Sequence, residues 1–551
     1  MKKVKKISIY LILIIFILLL AAFLRFYRLG ENPPSLTWDE AAWGYNAYSL
    51  GIDGREEFGR FLPWDYLESF GDFKPPVYAY LTILPVKIFG LNEFSTRFAS
   101  AFLGTLTVLL AFFLVKEIFK NSLFAVCYSL FTSFFLAISS WHIMLSRAAF
   151  EANVASFFII GGVVAFLRAM RDKGWWLIFS ALSFALSLQT FNTARVVSPF
   201  LILLLVIGFR KKLLALKNWV LLSFLVGFIV LVPAISFYFT PQAKLRFKEV
   251  NIFSDVSVVA LANQEMTNDG WEWWSKIIHN RRWGYFRLFL RHFFDHFNPN
   301  FLFIKGDGNP KFSTQDVGEL YLWELPFLIW GTVILFRKKE GYWWIIPFWL
   351  LGGIIPAATA RETPHALRIE TTLPTWQILT ALGVGEFLGW VKDLKKEKVF
   401  KFLILFFTFS VLGFNFLYFQ HGYWRHYPAE FSGEWQYGYK PAINYIKENE
   451  GKYDQIWFTS SLGRPYIYLL FYLKKPPQEF RQEARLKRDV FGFVNVEGFG
   501  KYNFFRNKEE ISTMGKSLII AEPSDIPKEV VPLKTFLLLN GKPVLVAYEK
   551  I

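Results

Sequence analysis

Cysteine is almost missing from this chain. Cys127 is the only one, so an intrachain disulfide is impossible, a cysteine-rich zinc site is excluded, and any domain outside a membrane must stand on its own core. Charge is sparse too: 19% of the residues are charged, where a soluble chain carries about 25%. Heptads, low-complexity tracts and convincing internal repeats are absent, so the fibrous and disordered classes fit poorly.

What fills the 551 residues is apolar: 54% are hydrophobic and 20% aromatic, with 63 Phe, 24 Tyr and 21 Trp. A soluble chain of this length would form roughly two to four domains. Each would need a polar surface that this composition cannot cover. The sequence therefore reads as a polytopic α-helical membrane protein. The net charge of +17 belongs with that reading, because Lys and Arg gather in cytoplasmic loops as topology signals. It does not call for a nucleic-acid partner.

The N-terminal MKKVKK is followed by an apolar run from Ile7 to Leu24. At about 18 residues it is long enough to span, and the bulky Phe23-Leu24-Arg25-Phe26 that follows is no cleavage site. We read an uncleaved anchor with its N-terminus in the cytoplasm. Hydropathy places further spans near 96–116, 121–139, 153–169, 174–190, 194–209, 218–238, 319–336, 342–358, 371–389 and 400–419, about eleven in all. Alternate loops are short and basic: residues 116–121, 168–174, 210–217, 337–341 and 392–401. The positive-inside rule makes these cytoplasmic. The stretch Val77 to Phe89 contains Pro85 and Lys87 and, at about 13 residues, is too short to cross. It is expected as an interfacial helix within one outer loop.

This count gives external loops at 25–95 and 239–318 within a membrane domain of residues 1–420, and an extracytoplasmic region at 421–551. The second loop interleaves Trp271, Trp273, Trp274, Trp283, Tyr285 and Phe286 with Arg281, Arg282, Arg287 and Arg291, a mixture suited to lipid headgroups. The C-terminal region holds strand-like runs at 455–459 and 517–520, and Asn540-Gly541 lies between apolar runs as a hairpin signal. A small α/β domain is expected there.

Charges in the bilayer are costly, so their positions carry information. The centres of the expected spans have almost none, whereas Asp39, Glu40, Lys74, Arg97, Arg147, Glu151, Arg195, Arg361, His365, Arg368 and Glu370 all map to the outer side. Transporters generally place polar groups or broken helices at midplane. Carboxylates beside cations at the outer interface suit chemistry on a lipid-linked phosphate. In SLTWDEAAWGYNAY, Asp39 and Glu40 face different ways on a helix. One is a candidate base and the other an orienting or cation-pairing group; alternatively Asp39 caps a helix and Glu40 is solvated. Lys74 precedes Pro75-Pro76 at a helix start, which suits either a phosphate cradle or a snorkelling lysine. His365 and Arg368 share a face if helical. His292 and His296 with Asp295 have metal-pair spacing, but no further ligand is evident. No cofactor is predicted, and a divalent metal stays without support.

The order of these pieces resembles a known architecture. An N-terminal span, WDE in the outer loop, KPP, and then LNEFSTRFASAFLGTLTVLLAFFLVKEIF are similar to bacterial and archaeal relatives of protein O-mannosyltransferases and of lipid A aminoarabinose transferases, all GT-C glycosyltransferases. WHIMLSRAAFEAN, FNTARVVSP, FNPNFLFIKGDGNPKFSTQDVGELY and TPHALR extend the likeness over about residues 1–420. The resemblance implies an inverting transfer of a sugar from a polyprenyl monophosphate to an extracytoplasmic glycan, glycolipid or protein. It implies Asp39 as general base with Glu40 beside it. Lys74, Arg147, Arg195, His365 and Arg368 would meet the donor phosphate, and Tyr45 and Glu151 the substrate; the aminoarabinose enzymes carry Asp at the place of Glu151. The expected site of action is the plasma membrane. Two other classes compete, a lipid-phosphate flippase and an inactive lipid-binding scaffold.

Overall fold

A computed structural model describes residues 2–120, 122, 124–489, 493–511, 515–527 and 529–550. Met1 of the basic N-terminus and Asn121 of the 116–121 loop lie outside the described residues. The chain forms two compact units that interleave in sequence. The first takes Met1–Leu24, Leu103–Leu145 and Ala152–Phe419; the second takes Arg25–Phe102, Ser146–Glu151 and Gln420–Ile551.

The first unit is helical. Among the described residues, five helices are long and apolar enough to cross a membrane: Ile9–Phe26, Glu93–Ile118, Glu151–Ala169, Lys217–Tyr238 and Lys398–Glu430. A sixth crossing follows if Ala125–Ile138 and Ser140–Arg147, bent by 56°, form one span. About eleven were expected. Other expected spans also fall on helices: Ala194–Ala215 has 22 residues and Thr375–Asp393 has 19. Residues 174–190 and 342–358 form helices of only 13 residues (Trp176–Leu188) and 14 residues (Ile345–Ala358), each rising about 20 Å where a bilayer core is about 30 Å thick.

Small residues let two helices of this unit approach closely. A Cβ added at Gly331, in Glu324–Lys338, would lie 1.8 Å from the Leu379 carbonyl oxygen. One added at Gly383, in Thr375–Asp393, would lie 2.0 Å from that of Phe327. Without a hydrophobic drive between helices in lipid, such backbone contact is the main source of packing.

The second unit contains the helix Trp38–Asp53, a hairpin of β1 (Leu67–Ser69) and β2 (Asp72–Lys74), and the helix Val77–Phe89. That last helix has the bounds expected for the interfacial segment. A mixed seven-stranded sheet follows: β3 (Gln455–Thr459), β4 (Arg485–Arg488), β5 (Val494–Phe499), β6 (Tyr502–Phe505), β7 (Ser517–Ala521), β8 (Lys534–Leu537) and β9 (Pro543–Lys550), in the order β4-β5-β6-β3-β7-β9-β8. β3 is parallel to β6 and β7, and the remaining pairs are antiparallel. The Asn540-Gly541 signal falls in the loop of the β8–β9 hairpin, with Gly541 at φ 83°.

Alternation along β7 shows why an unbroken apolar strand is needed. Leu518 and Ile520 enter one core, and Ile519 and Ala521 enter a second on the opposite face. The larger core is not built by the C-terminal segment alone. Leu36, Tyr45, Phe70 and Val86 of the first loop are buried with Tyr439, Phe458, Tyr468 and Leu518. Tyr439 stacks on Tyr468 at 4.1 Å and on Phe458 at 5.4 Å, adding aromatic contact to the buried area.

Candidate active site

Helix Trp38–Asp53 starts with a capping box. The Thr37 hydroxyl accepts the Glu40 N–H at 3.2 Å, and the Glu40 carboxylate accepts the Thr37 N–H at 2.9 Å. Thr37, not Asp39, is the cap, and Glu40 is fully buried rather than solvated. Its carboxylate also accepts from Arg97 Nε at 2.8 Å and from the Ala149 N–H at 2.9 Å. Every polar atom of Glu40 is therefore committed to structure.

Two buried arginines hold the strand of chain that leads to this helix. Arg97 donates to the carbonyls of Leu29, Pro33 and Ser35. Arg147 donates to those of Arg25, Tyr27 and Asn32, and its Nε reaches the Tyr423 hydroxyl at 3.0 Å. The Arg147 guanidinium also lies over the Trp424 ring at 4.6 Å. A planar fork with five donors suits this work, because one side chain can satisfy several carbonyls that water cannot reach.

With the helix start held in this way, Asp39 projects into the open. Its side chain is 51% exposed, and it is ion-paired to the buried Lys74. Lys74 ends β2, lies 5.2 Å from the Trp43 ring and 5.1 Å from the Phe70 ring, and feels the negative charge of Asp39, Asp72 and Glu151. Burial pulls the ammonium pKa down, yet these three acids outweigh burial and raise it. Lys74 is thus a fixed cation beside an accessible carboxylate. Tyr45, six residues along the helix, is fully buried, with its hydroxyl bonded to the Lys475 carbonyl at 2.9 Å.

Arg195, His365 and Arg368 belong to the first unit. The Arg195 guanidinium sits 5.0 Å from the Tyr238 ring and donates to the Leu188 carbonyl. His365 lies against Phe312 at 5.0 Å, with Nδ1 3.8 Å from the Asp307 carboxylate. Arg368 donates to the Glu362 carbonyl. Burial, with help from Arg368, holds His365 well below the usual histidine range, so the ring is neutral at pH 7. Asp307 is pushed up to about 6 by burial, although it accepts the N–H groups of Asn309 and Ala366.

The histidines with metal-pair spacing are otherwise engaged. His292 Nδ1 bonds the Ala360 carbonyl and His296 Nδ1 bonds the His292 carbonyl, each at 2.8 Å, while Asp295 accepts the Thr363 hydroxyl. His296 Nε2 accepts the His365 N–H, which fixes the Nδ1–H tautomer. Burial lowers its pKa to about 4. Among the described residues, no three His, Cys, Asp or Glu side chains converge as a metal site.

The fold now has counterparts. The crystal structure of ArnT from Cupriavidus metallidurans in the apo state matches with a TM-score of 0.53 at 12% identity, over 99% of this chain and 98% of that one. The chain has the GT-C fold. The GT-C likeness extends to the same ArnT bound to undecaprenyl phosphate (TM-score 0.52, 12% identity, 98% of each chain). It also extends to the apo oligosaccharyltransferase of Archaeoglobus fulgidus (0.52, 12% identity, 84% of this chain and 63% of that one). Residues 15–251 match the family model for dolichyl-phosphate-mannose-protein mannosyltransferase. No curated protein matches by sequence.

Sequence reasoning noted Arg97 as an outer charge without a role, and it passed over Asp72, Trp43 and Phe70 around Lys74. Asp72 stands two residues before Lys74, the spacing that puts both on one face of a strand, and that signal was readable.

Proposed function

We propose that this protein is a membrane glycosyltransferase that moves a sugar from a polyprenyl monophosphate to an extracytoplasmic acceptor, with inversion and with Asp39 as the general base. The observation that carries the reading is the half-exposed Asp39 carboxylate, ion-paired to a buried Lys74, in a GT-C chain that aligns with ArnT over nearly its whole length. Asp39 accepts the proton of the acceptor hydroxyl as its oxygen attacks the anomeric carbon. The bond from that carbon to the phosphate oxygen breaks on the other side. Lys74 stabilises negative charge at this centre, first on Asp39 and then on the departing phosphate. No acid is needed for a phosphate leaving group, which separates this scheme from the carboxylate pair of glycoside hydrolases.

Glu40 and Arg147 take positioning roles in this proposal, since their polar atoms already hold the chain that presents Asp39. Glu151 stays a candidate substrate contact, its charge acting on Lys74. Tyr45 becomes a core residue. Arg195, His365 and Arg368 are assigned to phosphate on the resemblance; neutral His365 would offer only an N–H. We place the protein in the plasma membrane with Asp39 and the C-terminal sheet outside the cytoplasm, following the basic loops.

The test is transfer by purified protein in lipid, with labelled polyprenyl-phosphate sugars and candidate acceptors. Asp39→Asn should retain donor binding and lose about 10²- to 10⁴-fold in turnover. Equal turnover by wild type and Asp39→Asn would remove Asp39 as base. Translocation of the lipid without any transfer would replace the enzyme reading with a flippase.

A further inference from the structure

The first unit carries an apolar, basic surface to which the proposed function gives no role. Helix Lys217–Tyr238 is only 17% buried and passes the length and hydropathy tests for a span. Two residues later, Pro241–Val250 begins a chain of short helices that continues through Val256–Asn268 to Arg281–Asp295.

Arg281–Asp295 has two distinct faces. Tyr285 and His292 point to the protein, with the Tyr285 hydroxyl on the Asp255 carbonyl at 3.1 Å and His292 on that of Ala360. On the other side Trp283, Phe286, Leu290 and Phe294 are exposed, up to 64% at Phe294. Their spacing of three, four and four residues makes one stripe. Arg287 and Arg291 flank it one turn apart, and all four arginines of the helix are exposed against a single acid, Asp295. Arg287 approaches Glu265 only to 4.0 Å and stays half exposed. The preceding turn adds Trp271, Trp273 and Trp274, with Trp273 72% exposed.

An apolar stripe edged by arginines, with tryptophans beside it, matches the layered chemistry of a bilayer surface: acyl boundary, phosphates, then water. We propose that residues 271–294 form a docking surface for the anionic headgroup layer of the bilayer that the neighbouring spans cross. The rings enter the acyl boundary, and Arg282, Arg287 and Arg291 select anionic phospholipids over zwitterionic ones. Its charge favours lipid over a protein partner: Lys276 and four arginines stand against Glu272, an excess of positive charge complementary to phosphate.

The experiment uses the full chain in nanodiscs and does not depend on transfer activity. Because Cys127 is the only cysteine, a Cys127→Ser background with Trp273→Cys accepts one bimane label. Brominated phosphatidylcholine should quench that label, and aqueous iodide should not. Native lipids retained by the unlabelled protein should be enriched in phosphatidylglycerol when discs contain both lipids. Arg282→Gln/Arg287→Gln/Arg291→Gln should lower that enrichment by about fivefold per arginine. Quenching by iodide alone would overturn the proposal. Energy transfer between labelled copies would assign the surface to a second copy instead. Unchanged phosphatidylglycerol enrichment in the arginine variant would overturn the selection of anionic lipid.

Discussion

The buried Glu40–Arg97 pair gives the sharpest test of how Asp39 is held. At 2.8 Å, with both side chains fully buried, the attraction at an effective dielectric near 20 is about 6 kcal/mol. Most of that offsets the desolvation of the two charges, so the intact pair adds little net stability. Removing one partner is a different matter. Arg97→Met leaves the Glu40 carboxylate without its cation and orphans the carbonyls of Leu29, Pro33 and Ser35. A loss of about 3–5 kcal/mol is expected. Glu40→Gln keeps the shape and leaves Arg97 uncompensated, at a similar cost. In the double variant the buried charge imbalance vanishes, and the carbonyl losses cancel around the cycle. The coupling energy should therefore be large, about 3 kcal/mol, when unfolding in mixed micelles is followed by tryptophan fluorescence. Arg97→Lys should not restore the wild type, because an ammonium cannot span three carbonyls and a carboxylate at once. Transfer assays on the surviving folded fraction should show reduced kcat with little change in the donor KM, since the base is displaced and the donor is not. A coupling below about 0.5 kcal/mol, the level seen for independent sites, would refute the role of this pair in holding Asp39.

Other consequences are open to direct measurement. Lys74→Gln should lower turnover and move the acidic limb of the pH–rate profile to higher pH, because Asp39 loses its paired cation; an unmoved limb would mean the pair is incidental. Glu56 is buried and pushed up to about 7, so the folded state keeps a proton that the unfolded chain gives up. Its contribution is full below about pH 4.5 and declines as pH rises to about 7, a loss near 3 kcal/mol that Glu56→Gln should abolish. Flat stability of the wild type across that range would contradict the burial. Gly383→Leu should separate the helices Glu324–Lys338 and Thr375–Asp393 and prevent stable purification, whereas Gly389→Leu, with nothing within 4 Å of an added Cβ, should be tolerated. Equal behaviour of the two would remove the close helix approach.

How much of this was legible depends on the range of the physics. The helix Val77–Phe89 and strand β3 were expected with the bounds they have, and the β8–β9 hairpin was announced by Asn540-Gly541. Each is set by residues within a few positions of one another. The Asp39 and Lys74 pairing joins residues 35 apart; their types suggested one site, yet nothing local required them to touch. The saturation of Arg147 by carbonyls was invisible, because a sequence shows a donor without showing what already occupies it. The same holds for Tyr45, which reads as an amphipathic side chain near a site and proves to be buried in a core.

Composition alone determined that this chain is a helical membrane protein, since 54% hydrophobic residues leave no polar coat for a soluble fold. The placement of charge directed the expected site to helix ends, because the bilayer excludes ions from its centre wherever they sit in the sequence. Only the tertiary structure decided that the segment 25–95 and the last segment share one hydrophobic core, and that of two adjacent acids Asp39 is open while Glu40 is buried. Burial is a property of what surrounds a residue, and here the surroundings of Glu40 arrive from Arg97 and Ala149, far along the chain.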